Sequence, residues 1–116
     1  MNVFLEETEN RPWGEFRVFT KNQPVTVKII KVTKGEQFSL QYHKNRSEFW
    51  KILSGNPEVT VGESVVVAQK GDEFVVPQGT THRVHAPTED VEFLEIASGN
   101  FDEEDIIRLE DNYGRI

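Results

Sequence analysis

The sequence predicts an all-β domain, a sandwich, jelly roll or small barrel, on three observations. Valine and isoleucine supply 21 of the 42 apolar residues against five leucines and three alanines, a bias toward side chains that suit pleated surfaces rather than helices. Turn-forming residues recur at close, regular intervals between β-rich runs. Those intervals leave no room for the helices that βαβ units place between parallel strands. At 116 residues the chain is expected to form one domain, 1–116, around a single core.

Punctuation sets the strands in order. A run at 15–20 stops at Asn22-Gln23-Pro24, and one at 25–32 stops before Lys34-Gly35-Glu36. Runs at 37–43 and 47–54 precede Ser54-Gly55-Asn56-Pro57, and 58–61 turns at Val61-Gly62-Glu63 into 64–69. Lys70-Gly71-Asp72 leads into 72–76, Pro77-Gln78-Gly79 into 81–86, and Pro87-Thr88-Glu89-Asp90 into 91–97. The C-terminal segment Asp102–Leu109 reads as a short helix, because four acidic residues stand where a helix dipole favours negative charge and Arg108 stands near the other end. The β-prone Val3-Phe4-Leu5 is suited to pairing with an exposed sheet edge, the basis for expecting a homodimer.

Net charge is −7, which argues against nucleic acid or an anionic membrane as partner and requires any anionic ligand to find a local basic pocket. The absence of cysteine excludes disulfides, thiolate metal sites and a thiol nucleophile, and permits a reducing compartment. The first residues lack a basic stretch followed by a long apolar run, and no apolar run approaches membrane-spanning length, so a cytoplasmic protein is expected. No phosphate-cradling or dinucleotide-binding glycine pattern is present.

Alternation along the strands singles out a polar set. With Leu40 and Tyr42 on one face, Ser39, Gln41 and His43 share the other. Glu48, Trp50 and Ile52 share a parity that can bring Glu48 beside His43, and His82 and Val84 point opposite to Arg83 and His85. Gln41, His43, Glu48 and His82 would offer an amide oxygen, two imidazoles and a carboxylate, suited to Zn²⁺, Mn²⁺, Fe²⁺ or Ni²⁺, with His85 outside the set. Taken singly, each also serves as a hydrogen-bonded polar residue inside a small barrel.

The spacing carries a family resemblance. Gly35-x5-Gln41-x-His43-x4-Glu48-x6-Gly55 resembles the first cupin motif, with Gln41 where that motif has its first histidine, and Gly71-x5-Pro77-x-Gly79-x2-His82 resembles the second, with Ala86 where the motif closes on Asn. Three further stretches are similar to the type II phosphomannose isomerase domain of bifunctional mannose-1-phosphate guanylyltransferases: Arg11-Pro12-Trp13-Gly14, the run from Ser39 to Trp50, and Glu104 to Arg115. The resemblance covers Arg11 to Arg115 and implies a double-stranded β-helix, a jelly-roll barrel, and one divalent metal ion, zinc in the first instance, with manganese, iron or nickel as alternatives. It does not extend to the guanylyltransferase half.

The implied reaction interconverts mannose 6-phosphate and fructose 6-phosphate. A metal on Gln41, His43, Glu48 and His82 would polarise the carbonyl, and proton transfer would fall to Glu48, to Glu95, which shares its strand face with Phe93 and Ala97, or to Lys28. The sugar phosphate would be held by Arg11, Ser39, Arg46, Arg83, Arg108 and Arg115, since the planar guanidinium fits phosphate. Trp13 and Trp50 are expected to pack rather than to stack on sugar. Two other functions fit the same pattern: a non-catalytic module binding a sugar or sugar phosphate, and a cupin dioxygenase, against which Gln41 counts because such sites more often use three histidines.

Overall fold

The computed structural model describes residues 3–115, with no helix among them. Eleven strands pair antiparallel throughout. Strands β1 (Glu7–Arg11) and β2 (Gly14–Val18) form a two-stranded ribbon. A four-stranded sheet runs in the order β3 (Val25–Val32), β10 (Val91–Gly99), β5 (Arg46–Ser54), β8 (Glu73–Val76). A five-stranded sheet runs β11 (Ile107–Glu110), β4 (Leu40–Tyr42), β9 (His82–His85), β6 (Glu58–Val61), β7 (Ser64–Val67). Non-consecutive neighbours within both sheets are the mark of a jelly roll, in which each sheet is assembled from distant parts of the chain.

The core lies between the sheets. Trp50, Ile52 and Phe93 from the four-stranded sheet meet Val59, Val84 and Ala86 from the other side, all essentially inaccessible to solvent. Strands β5 and β10 are buried on both faces, because Phe49 and Ile96 on their outer face pack with Phe4, Phe19, Val25 and Leu94 in a second, smaller cluster. Phe4-Leu5 is part of that cover: Phe4 stacks obliquely on Phe49 at 5.8 Å, and the Leu5 amide donates to the Phe19 carbonyl at 2.7 Å. The N-terminal apolar run thus packs on the outer face of the four-stranded sheet without joining it as a strand.

Two elements differ from expectation. The segment Asp102–Leu109 is not helical; it makes a turn through Asp105 and then enters β11, where Ile107 pairs with Tyr42 and Arg108 with Gln41. Edge pairing on β4 offers the β-branched Ile106-Ile107 partners that an isolated short helix cannot. Strand β1 was not foreseen, because all five of its residues are exposed and leave no burial pattern to read. No helix of the described residues is long and apolar enough to cross a membrane.

Candidate metal centre and substrate cavity

Cross-strand pairing assembles the site. In the five-stranded sheet Arg108, Gln41 and His82 are direct neighbours across β11, β4 and β9, so their side chains emerge in one row on one face. In the four-stranded sheet Lys28, Glu95 and Trp50 form a second row across β3, β10 and β5, and Glu48 pairs with Ala97 two residues along. His43 follows β4 at the turn into β5. The two rows face one another across a cavity of about 220 Å³ that includes Gln41, His43, Glu48 and His82 in its wall.

Both imidazoles present an unprotonated ring nitrogen to Glu48. His43 Nδ1–H donates to the Asp105 carbonyl at 2.6 Å and His82 Nδ1–H to the Thr80 carbonyl at 3.0 Å, which assigns the lone pair of each ring to Nε2. His43 Nε2 lies 3.4 Å from Glu48 Oε2 and His82 Nε2 lies 3.8 Å from Glu48 Oε1. His82 Nε2 is fully buried with no hydrogen-bond partner at all. One donor atom from each of the three residues falls within 4.8 Å of the others. Burial lowers the pKa of both histidines, keeping the rings neutral, as a metal ligand must be. Burial also opposes ionisation of Glu48, but His82, His43 and hydrogen bonds from Glu95 and Arg46 outweigh it and hold Glu48 below its usual range. An orphaned imidazole nitrogen, a second neutral imidazole and an ionised carboxylate converging in a buried site fit a divalent cation. Gln41 adds an amide beside them, its Oε1 accepting from Ser39 Oγ.

The rest of the cavity is charged. Arg46 is buried, donating from Nε to Glu48 Oε2 at 3.1 Å, from Nη2 to His43 Nε2 at 3.1 Å and from Nη1 to the Asp102 carbonyl at 3.0 Å, with its guanidinium 4.4 Å over the Phe101 ring. Lys28 lies 4.3 Å over the same ring, 3.2 Å from Glu103 and 3.9 Å from Glu95. Glu95 is buried rather than solvated; burial, reinforced by the charge of Glu48 and a hydrogen bond to it, pushes its carboxyl up to about 8. Arg108 lines the cavity with its Nε unpartnered, and Arg115 lines it while forking onto Asp111 at 2.7 and 2.8 Å. Four cations thus face three carboxyls, one of them protonated near neutral pH; even with Asp111 balancing Arg115 from behind, the wall keeps a net positive charge inside a chain of net charge −7.

Three of the expected substrate residues lie elsewhere. Arg11 sits on the β1–β2 ribbon, paired with Glu9 at 2.6 Å and stacked 4.8 Å over Phe16, so its charge is already engaged outside the cavity wall. Ser39 is wholly buried and donates to Gln41, which makes it a support for that side chain. Arg83 points away from His82, as strand alternation requires, and ties β9 to the Phe38 carbonyl and to Glu110. His85 is on that same outer face, 3.9 Å from Glu58. Sequence reasoning missed Glu103 and Asp105, which sit in the acidic run assigned to a helix, and Phe101, the residue just before it; the aromatic beside charged residues was the available signal.

A larger cavity, about 640 Å³, lies against Val3, Pro24, Val75, Pro77, Ser98 and neighbouring residues, but no titratable group lines it.

The chain matches the family described as mannose-6-phosphate isomerase C-terminal over residues 2–111. It is 41% identical over 107 residues to the xanthan biosynthesis protein XanB of Xanthomonas campestris pv. campestris, covering 90% of this chain and 23% of that protein. It is 33% identical over 108 residues to the mannose-1-phosphate guanylyltransferase ManC of Salmonella typhimurium, covering 91% of this chain and 22% of the relative. The chain therefore spans less than a quarter of these relatives' length. Among solved structures, a cupin 2 conserved barrel domain protein from Rhodopseudomonas palustris superposes with a TM-score of 0.65 at 23% identity, over 74% of this chain and 60% of the other, a likeness of fold.

Proposed function

The chain belongs to the mannose-6-phosphate isomerase C-terminal family, and from that premise we propose that it is a metal-dependent aldose–ketose isomerase acting on mannose 6-phosphate and fructose 6-phosphate. The observation that carries this reading is the meeting, in one cavity, of a donor set suited to a divalent metal with Lys28, Arg46, Arg108 and Arg115. A cavity of 220 Å³, smaller than the roughly 300–1,000 Å³ typical of drug-sized ligands, suits a small polar substrate.

Gln41, His43, Glu48 and His82 would hold the metal, zinc in the first instance, which supplies Lewis acidity toward a sugar carbonyl and its enediolate. The remaining chemistry belongs to the chain. Arg108, whose Nε has no competing acceptor, receives the phosphate, with Arg115, whose Nε and Nη2 are held by Asp111, contributing charge beside it. Glu95 stands on the opposite wall from Gln41 and His82; with its carboxyl pushed up to about 8, its ionised fraction can take the proton from one sugar carbon and, now protonated, return it to the adjacent carbon. Lys28, beside Glu95, offsets the charge that carboxyl acquires when it gives up the proton. Trp50 and Phe38 make the dry floor, keeping water from an enediolate.

The test is a coupled assay of zinc-loaded protein against mannose 6-phosphate, with glucose 6-phosphate and unphosphorylated mannose in parallel. Turnover of mannose 6-phosphate that falls sharply in Arg108→Ala and is unchanged in Arg11→Ala supports the assignment. Absence of turnover with retained sugar-phosphate binding would replace it with the binding-module reading.

A further inference from the structure

Asp105 is not in the wall of the candidate cavity or among its converging donor atoms, yet it grips the metal centre from behind. Its two carboxylate oxygens accept from the backbone amides of Lys44 and Asn45, each at 2.9 Å, and its own carbonyl accepts from His43 Nδ1 at 2.6 Å. The residues gripped are the two that directly follow His43, 61 and 60 positions of sequence from the side chain gripping them. A carbonyl is available at any residue; what Asp105 adds is a two-pronged anchor that fixes where its carbonyl stands.

We propose that Asp105 is a positioning residue: by clamping the turn after His43 onto the C-terminal segment, it holds the Nδ1–H tautomer of His43 from behind, as the Arg46 Nη2 donor does from the front, and so keeps Nε2 unprotonated toward Glu48. The clamp also joins the two halves of the site. Asp105 lies three residues before Arg108, and the segment it anchors supplies the Phe101 ring under Lys28 and Arg46 and the Asp102 carbonyl that receives Arg46. Loosening it would release a metal ligand and the cationic wall together. The inference rests on the metal reading above for its consequence, but not for its geometry.

The experiment uses Asp105→Asn and Asp105→Ser in the full chain. Asn has one acceptor oxygen for two amides and turns an NH₂ toward the other; Ser reaches at most one, and either variant serves if the other fails to fold. Nitrogen-15 NMR of the imidazoles in chelator-treated protein should show His43 as the Nδ1–H tautomer in the wild type and a mixture in the variants. Zinc affinity, by competition with a chromophoric chelator, should fall by about 10- to 100-fold, the usual effect of losing a partner that orients a ligating histidine. Glu73→Gln, which weakens the ion pairs to Arg17 and Lys51 outside the cavity wall, should leave both readouts unchanged. An unaltered His43 tautomer in both variants overturns the proposal whatever the metal does. A shifted tautomer in a chain whose wild type binds no zinc leaves the positioning role standing and removes the metal reading instead.

Discussion

Replacing His82 by leucine separates a core residue from a ligand. The imidazole is enclosed by Trp50 at 5.4 Å and His43 at 4.9 Å, and its Nε2 is buried without a partner. An unsatisfied buried polar atom costs about 1–3 kcal/mol, which leucine restores; the lost Nδ1 bond to Thr80 takes back about 1 kcal/mol. Loss of the edge-on contact with Trp50 takes back a further ~0.5–1.5 kcal/mol. Leucine nearly matches imidazole in volume, so no large cavity or overpacking enters. The contributions offset, and with chelator present His82→Leu should unfold in urea within about 1 kcal/mol of wild type, against the ~2–5 kcal/mol lost when an ordinary large core side chain is truncated. With free zinc at a hundred times its Kd the wild type should gain about 2.7 kcal/mol and the variant nothing. Circular dichroism at a series of urea concentrations, with and without zinc, measures both. A variant that loses several kcal/mol in chelator would mean that Nε2 has a structural partner, and a variant that keeps the full zinc stabilisation would mean that it is not a ligand; either refutes the argument.

Two further outcomes follow from the fold. Glu73 is held below its usual 4.5 chiefly by the hydrogen bond from Arg17, with Lys51 adding to it, so the stability this carboxylate contributes is complete above pH 4.5 and is lost as pH falls through its folded value; Arg17→Ala should therefore flatten the loss of stability below pH 4.5, and acid-unfolding curves that stay parallel would contradict this. Gly35 and Gly55 share a φ of 84°, but a Cβ on Gly35 meets nothing within 4 Å whereas one on Gly55 would lie 2.6 Å from the Asp90 carbonyl oxygen; Gly35→Ala should cost only the left-handed backbone penalty of about 1–2 kcal/mol, and Gly55→Ala, compared by thermal unfolding, clearly more.

Much of the site was legible because burial on a single face forces strand parity. Ser39, Gln41 and His43, then Glu48, Trp50 and Ile52, then His82 and Val84, all turn inward as alternation requires, since a slip of one residue would carry every apolar partner into water. Glu95 was placed beside Phe93 and Ala97 by the same logic. What alternation does not reveal is which polar residue reaches the lumen mouth: Arg46 stays inside through its bonds to Glu48, His43 and Asp102, whereas Arg11 and Arg83 find acceptors elsewhere. The acidic run at 102–105 looked like a helix start because local charge rules see only neighbouring residues; its carboxylate at 105 serves amides far upstream, and the chain after it gains more from pairing with β4 than from a free helix. Strand β1, exposed along its whole length, is held by its hairpin partner alone and gives no pattern to detect.

The setting of Trp50 gives the protein its own optical gauge. Its indole is wholly buried, donates from Nε1 to Glu48 Oε1 at 3.1 Å and meets the His82 ring edge-on, while the only other tryptophan, Trp13, is 73% exposed. The two fluorophores are therefore separable by colour and by access: Trp13 emits toward the red and is silenced by a water-soluble quencher, leaving a blue-shifted signal from Trp50 alone. That residual light originates within contact of two residues of the candidate centre, so a change in His82 or Glu48 is reported as brightness, without a label, in the unmodified chain.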